Sequence, residues 1–430
     1  MGTLSMESNV QRRLDSLSRH LLLSPETVDN HLLHLNHLGA VQLRSVDLVP
    51  VIVGGMVLDI HARPSIKANP RTTTPGKVQY VRGGVARNVA ECMSKLGTRP
   101  YMISVVGLDM AGDLLLEHWK SSRLPIEGIR KCQDAVTPVV SIIFDSHGEL
   151  AAGVASVEAV ETFLTPEWIC QFRCNILSAP VLMVDANVHP RSLEVACQIA
   201  AESHIPVWFE PVSVSKSKRI ASIAQYVTYA SPNEDELIAM ANTLSCSHEF
   251  HPIQRLDKNG NRLSIESIFQ MLKPAIWVLL EKGIKLLILT LGSYGVLLCS
   301  REGPDFMRKA AENTNPSSFG DRLHELVSSS CPSDQFSSRG VWKIQSIFVL
   351  HFPALPASVV SLTGAGDCLV GGTLSSICAG LDIMQSLAVG VAASKAAVET
   401  EDNIPPEYCL KTIADDAQRV FSAARVLFDE

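Results

Sequence analysis

The chain has no long apolar run, no Cys-x-x-Cys pair and no excess of basic charge. Its apolar stretches, such as Leu286 to Leu289, are a few residues long, which suits a buried strand rather than a membrane span. Eleven cysteines are scattered singly. They read as reduced, mostly buried thiols and not as a disulfide frame. Cys170 and Cys174 share a helical face at best and make a poor metal site without histidines nearby. Thirty-seven basic against 44 acidic side chains give a net charge of -7, so no general attraction to nucleic acid or anionic membranes is expected. Also missing are a Gly-x-x-x-x-Gly-Lys-Ser/Thr loop, a protein-kinase signature set and any internal repeat. No Gly-x-Gly-x-x-Gly lies near the first strand, which argues against a dinucleotide oxidoreductase.

What is present is enough for a large core. The 430 residues are 46% hydrophobic and 19% charged, a globular composition that can build one large α/β domain or two. From Val46 strand and helix patterns alternate. Strands are expected at Val49 to Val53, Arg99 to Val106, Val181 to Val184, Pro206 to Phe209, Tyr226 to Ala230, Leu286 to Leu291 and Val296 to Cys299. Helices are expected at Asn88 to Leu96 and Met110 to Ser121. Such alternation implies a mainly parallel sheet covered on both faces. Pro64 to Val81 and Val136 to Leu150 are strand-like, with turns such as Asp145-Ser146-His147-Gly148 and no following helix. Arg301 to about Gly340 is polar, rich in Ser and Pro and without a clear period, the pattern of a surface insertion. After Pro405 only a closing helix is expected.

Residues 1–45 differ from the rest, being rich in Leu, His, Ser and Arg. Arg13-Leu14, five residues, then His20-Leu21 is similar to an N-terminal peroxisomal targeting nonapeptide. The cytoplasm is the alternative address. Glu7 and Asp15 weigh against a mitochondrial presequence.

Near the other end lies Thr363-Gly364-Ala365-Gly366-Asp367. Small residues there leave the first amides of a helix bare, and a bare helix N-terminus attracts anions. Asp367 follows at once, placed to accept a proton from a hydroxyl while those amides stabilise a moving phosphoryl group. A Gly-rich turn with an exposed Asp would look the same, so the rest of the chain has to decide. Upstream stand Gly83-Gly84-Val85-Ala86-Arg87-Asn88 and Val105-Val106-Gly107-Leu108-Asp109. Together with Gly364 to Asp367, these resemble the two signatures of the ribokinase-like (PfkB-type) carbohydrate kinases, from about Val46 to about Pro405.

The resemblance implies a three-layer αβα fold with a central, mostly parallel sheet and a small β lid at about 60–82 and 136–150, all within a kinase domain 46–430. It also implies ATP and Mg²⁺ as cofactors, and leaves K⁺ activation and pairing of subunits through the lid open. Asp367 would be the base and Gly364, Ala365 and Gly366 the anion nest. Asp59, Gly83, Gly84 and Asn88 would hold the sugar. Asn233 and Glu236 form an Asn-x-x-Glu pattern that would hold metal-bound water, although an acidic helix cap reads equally well. Thr290, Gly292 and Gly295 would line the nucleotide, or form a plain hairpin turn.

Three runs narrow the resemblance: Gly83 to Glu91, Val184 to Asn187 and Phe209 to Lys216. They are similar to the branch that phosphorylates the 5′-hydroxyl of the C-nucleoside pseudouridine, with Arg87, Asn88 and Glu91 the best discriminators. A separate glycosidase then splits the product. Asp185 and Lys216 fall just past strand ends, on the edge where ligands bind in open sheets, and become substrate candidates. The rival expectations are a kinase of ribose, adenosine or a hexose, a non-catalytic scaffold, and a DNA-binding regulator using residues 1–45.

Overall fold

Strand residues of alternating orientation divide the core in two. Val51 and Val53 pack on one face of the main sheet and Ile52 on the other; Ile103 and Val105 oppose Met102 and Val106 in the same way. This is the period-two consequence of a pleated sheet buried on both sides. The computed structural model describes residues 48–67, 71–145, 150–245, 249–256, 260–302, 320–332 and 347–427. The targeting pattern of residues 1–45 and most of the 301–340 stretch lie outside them.

Fourteen strands among the described residues form two sheets. They are β1 (Val51–Val53), β2 (Val57–Pro64), β3 (Gly76–Gly83), β4 (Tyr101–Gly107), β5 (Ile129–Cys132), β6 (Val139–Phe144), β7 (Leu150–Ser156), β8 (Leu182–Asp185), β9 (Val207–Glu210), β10 (Tyr229–Ala230), β11 (Leu286–Thr290), β12 (Val296–Ser300), β13 (Phe348–Phe352) and β14 (Arg425–Leu427). The main sheet has the order β14-β13-β12-β11-β10-β9-β8-β1-β4-β5. Pairing is parallel from β11 through to β5 and antiparallel among β11 to β14. After β1 the chain runs outward through β4 and β5, then returns to lay β8 on the other side of β1. The C-terminal ends of β1 and β8 therefore flank a topological switch point, the crevice where open α/β sheets bind ligands.

Helices cover both faces. On one side lie α1 (Val85–Lys95), α2 (Met110–Ser121), α6 (Asp321–Ser330), α7 (Ala365–Cys378), α8 (Ile383–Val398) and α9 (Leu410–Ala423). On the other lie α3 (Pro190–Glu202), α4 (Glu234–Leu244) and α5 (Ile265–Glu281). The result is the expected three-layer α/β architecture.

The second sheet, β3-β2-β6-β7, is the lid. It rises directly from Met56 and returns to α1 through Gly83 and Gly84. Its strands span 57–83 and 139–156 rather than 60–82 and 136–150. Strand β7 escaped the sequence reading because Ala151-Ala152-Gly153-Val154-Ala155 carries no bulky alternation. Strands β5, β13 and β14 were likewise missed, and β14 means that the chain does not end in a helix alone. Helix α1 begins at Val85, three residues before the expected start. Residues Ala224–Tyr226 form a 3₁₀ turn, which shortens the expected strand there to Tyr229–Ala230.

The 301–340 stretch also needs correction. It was expected to be an aperiodic surface insertion, yet α6 lies within it. Leu323 and Val327, four residues apart, are fully buried and pack with the residues of α9. Burying one Val or Leu side chain contributes about 1.5–3 kcal/mol, enough to hold a single amphipathic turn-pair on the core even in a polar context.

Candidate active site

Two motifs far apart in sequence meet at one hydrogen bond. Asn88 Nδ2 donates to Asp367 Oδ2 at 2.6 Å across a separation of 279 residues. Asn88 sits in the first turns of α1 and Asp367 in the first turn of α7, and the two helices pack together. Helix α7 starts as the sequence suggested. Gly364 is its N-cap, with φ 83° and no side-chain cap. The amides of Ala365, Gly366 and Asp367 precede the first i−4 carbonyl; that of Ala365 donates to the Leu362 carbonyl at 3.4 Å, and those of Gly366 and Asp367 have no helical partner. A Cβ built on Gly366 meets nothing within 4 Å, so the helix end opens onto clear space.

Burial pushes the Asp367 carboxyl up to about 6. The Asn88 hydrogen bond and the Arg87 charge oppose that rise, while Asp185 and Asp59 reinforce it. A carboxyl in that range is ionised at neutral pH yet basic enough to take a proton.

Asp59 stands on lid strand β2, opposite Val81 of β3. Burial raises its carboxyl above the ordinary value, against the Asn403 hydrogen bond and the Arg87 charge. Gly83 is required beside it, because a Cβ there would overlap the Asp59 carboxylate. Gly83 thus makes room for the Asp59 carboxylate. Asn403 donates to Asp59 Oδ2 at 3.2 Å and to the Arg82 carbonyl at 3.1 Å. Sequence reading missed Asn403. It lies in a loop after α8, and no local signal marks a residue whose partners are 344 and 321 positions away.

Asp185 is fully buried at the end of β8. It accepts from the amides of Gly55 at 2.9 Å, Ala86 at 3.2 Å and Asn187 at 2.9 Å. Burial raises its carboxyl despite these amides. With both oxygens taken by backbone, Asp185 ties β1, α1 and its own loop together at the switch point rather than presenting a free edge to a ligand. Lys216 is half-buried nearby and donates to Asn187 Oδ1 at 2.5 Å. Burial lowers its ammonium, which the Asp185 charge counters.

The Asn-x-x-Glu segment forms a capping box at the start of α4. Asn233 N donates to Glu236 Oε2 and Glu236 N to Asn233 Oδ1, both at 2.9 Å. The helix-cap reading is therefore realised. Thr290 is tied to the same segment, its amide donating to the Pro232 carbonyl at 3.0 Å. Gly292 and Gly295 shape the hairpin between β11 and β12, so the turn reading also holds.

Glu210, in the Phe209 to Lys216 run, lies at the end of β9 among other acids. Its carboxyl is held well above the ordinary value by burial, opposed by a hydrogen bond from Ser231 and reinforced by repulsion from Glu236, Asp367 and Asp185. Four carboxyls thus sense one another along the sheet edge, although no group of three or more His, Cys, Asp or Glu among the described residues has preformed metal-site geometry. A divalent cation with its water shell would relieve that repulsion, and Mg²⁺ prefers such water-mediated oxygen contacts. Burial likewise raises Glu236, which leaves it and Asn233 suited to that outer sphere.

A carboxyl raised to about 6 in the first turn of a helix with an uncapped N-terminus, close to a small β sheet, suits transfer of an anionic group to an alcohol. Proteins built this way are kinases of small hydroxyl compounds. The model of the pfkB family of carbohydrate kinases matches residues 50–320 and 337–407, and the chain belongs to that family. It is 53% identical over 378 residues to a pseudouridine kinase of Arabidopsis thaliana, covering 88% of this chain and 98% of that one. It is 22% identical to a pseudouridine kinase of Escherichia coli, covering 86% and 96%. A solved ribokinase of Arabidopsis thaliana complexed with ribose and ATP superposes with a TM-score of 0.60 at 16% identity, covering 86% of this chain and 99% of that one; it shares the fold.

Proposed function

We propose that this protein transfers the γ-phosphoryl group of ATP to the 5′-hydroxyl of pseudouridine. The observation that carries the acceptor is the 53% identity with a pseudouridine kinase along nearly the full length of both chains. The geometry supports the chemistry. Asp59 accepts hydrogen bonds from ribose hydroxyls and aims the 5′-oxygen at the mouth of α7. As that oxygen bonds to the γ-phosphorus, Asp367 takes its proton and the bond to the β,γ-bridging oxygen breaks, releasing ADP. The amides of Gly366 and Asp367, with that of Ala365 beside them, face the charge on the moving group. The residues fit an ATP-bound Mg²⁺, which would neutralise phosphate charge, with Asn233 and Glu236 holding its waters. The lid excludes water, which would otherwise compete as acceptor.

The test is an acceptor panel. Pseudouridine, uridine, ribose, adenosine and fructose are each supplied with ATP and Mg²⁺, and products are followed by mass. Pseudouridine is expected to react with the highest kcat/KM. Faster phosphorylation of ribose or adenosine would overturn the assignment.

Three finer proposals accompany this reading. Arg13-Leu14 and His20-Leu21 direct the chain to peroxisomes, and a reporter carrying residues 1–45 that stays diffuse would refute the address. The outer lid face exposes Val78, Tyr80, Ile143 and Val154, which supports pairing of two lids; sedimentation as a monomer at micromolar concentration would refute it. The product is a C-nucleotide, so a glycosidase that cleaves a carbon–carbon glycosidic bond is the class of enzyme that must consume it.

A further inference from the structure

The largest buried cation in the structure lies beside the base. Arg87 is 1% exposed, in the first turn and a half of α1, and its guanidinium makes four hydrogen bonds. Nε donates to the Gly83 carbonyl at 2.8 Å and Nη2 to the Arg82 carbonyl at 2.7 Å. These are the last residues of lid strand β3, so the guanidinium fastens the lid's return to α1. Nη1 pairs with Glu91 one turn on. Nη2 also donates to Asn88 Oδ1.

That last bond governs the amide of Asn88. The terminal torsion of Asn is broad and nearly two-fold, so the amide could present either its oxygen or its nitrogen to Asp367. An amide oxygen against a carboxylate repels; an amide N–H donates. Arg87 accepts nothing and offers only N–H groups. Bonding to it commits Oδ1 and turns Nδ2 toward Asp367.

We infer that Arg87 is a positioning residue. It locks the Asn88 amide, and through it the proton-accepting carboxylate of Asp367, to the same anchor that fixes the lid's hinge. The inference rests on the kinase reading above and deepens it. Glu91 holds the anchor in place. Burial opposes its ionisation, but the His118 hydrogen bond and the charges of Arg87 and Lys95 prevail and keep it well below the ordinary carboxylate range. Lys95 Nζ lies 2.7 Å and His118 Nε2 3.2 Å from its other oxygen. Every side chain in the chain Lys95, Glu91, Arg87, Asn88, Asp367 therefore has a defined partner on each side. The groups acting on Asp367 are Arg87 and Asn88 from α1, Asp59 from β2, Asp185 from β8 and Glu210 from β9.

The test is Arg87→Lys, which keeps the charge but cannot serve four partners from one nitrogen. With the amide released, kcat should fall about 30-fold, the scale of a slight misplacement of a reacting group. The KM for nucleoside should stay within about threefold, since Arg87 itself touches no substrate. The acidic limb of the kcat–pH profile should move upward, because the Asn88 bond that lowers the Asp367 carboxyl is lost. A folded variant with the parent's kcat and acidic limb would overturn the inference. Glu91→Gln, milder and isosteric, should shift the limb in the same direction; if Arg87→Lys does not fold, an unmoved limb in Glu91→Gln overturns the inference instead. A carbon-13 titration of the Asp367 carboxyl reads the same shift without turnover. A parent enzyme that transfers phosphate from ATP to no acceptor of the panel would refute the kinase reading, and that titration would still judge Arg87.

Discussion

Asp367→Asn will lower kcat by about 10³-fold, the scale of losing a positioned general base, while nucleoside affinity stays within about threefold. The substitution preserves shape, and the new amide oxygen can still accept from Asn88 Nδ2. What it removes is the ability to hold a proton. Steady-state turnover and equilibrium binding of the nucleoside, measured on the same preparation, separate the two effects. Turnover near the parent's would take Asp367 out of the mechanism. The parent's kcat should also fall as pH drops through about 6, where burial has placed this carboxyl, and the variant's residual rate should not follow that limb.

The same shift makes a stability prediction with a definite sign. The unfolded carboxyl titrates close to 3.8 and the folded one at about 6. The folded state therefore binds the proton more tightly, and the stability this group contributes is lost as pH rises from the lower value through the higher one. Asp367→Asn escapes that loss. It should melt above the parent at pH 7.5, and the gap should close as pH falls toward 4. A carboxyl kept in a partly dry site costs stability at neutral pH.

How much of this was legible beforehand depends on how far each signal travels along the chain. The alternation of strands and helices is local, so the layered fold could be read from periodicity. Helix α2 was placed at its observed bounds, since Asp109 is a plain N-cap that accepts from the Gly112 amide at 2.8 Å. The glycines and acids of the motifs could be found because few other residues serve such backbone geometry. The pairings could not. Asn88 with Asp367, Asn403 with Asp59, and Asp185 with the Gly55 amide are separated by 279, 344 and 130 residues. Asn88, expected to hold the sugar, also accepts from Arg87 at Oδ1 and donates from Nδ2 to Asp367, partners that no local signal announces. Glu210 was visible as a residue but not as an acid with a raised carboxyl, because its state depends on carboxyls gathered from β8, α4 and α7. Helix α6 was hidden by polar composition, and only its two inward residues reveal it.

Gly364 and Gly366 look interchangeable in the motif, yet their substitution by Ala should fail in opposite ways. Gly364 has φ 83°, and a Cβ there would overlap the backbone carbonyl of Asn403. The left-handed backbone and the overlap together should cost about 2–4 kcal/mol. Because Asn403 also holds Asp59, the displacement should reach the sugar side as well. Urea unfolding of Gly364→Ala checks the first effect and its nucleoside KM the second. Gly366 is different, since an added Cβ meets no protein atom within 4 Å. In the first turn of a helix, Ala should leave stability unchanged or raise it by about 0.4–1 kcal/mol. The methyl would instead occupy the open space over the bare amides. If phosphoryl oxygens sit there in the reaction, Gly366→Ala should raise the KM for ATP or lower kcat by about tenfold or more, with a melting temperature no lower than the parent's. A Gly366→Ala enzyme with the parent's ATP kinetics would place the phosphoryl group elsewhere. On these predictions the glycine that the fold needs and the glycine that the substrate needs would be two residues apart, and a stability measurement set beside a rate measurement tells them apart.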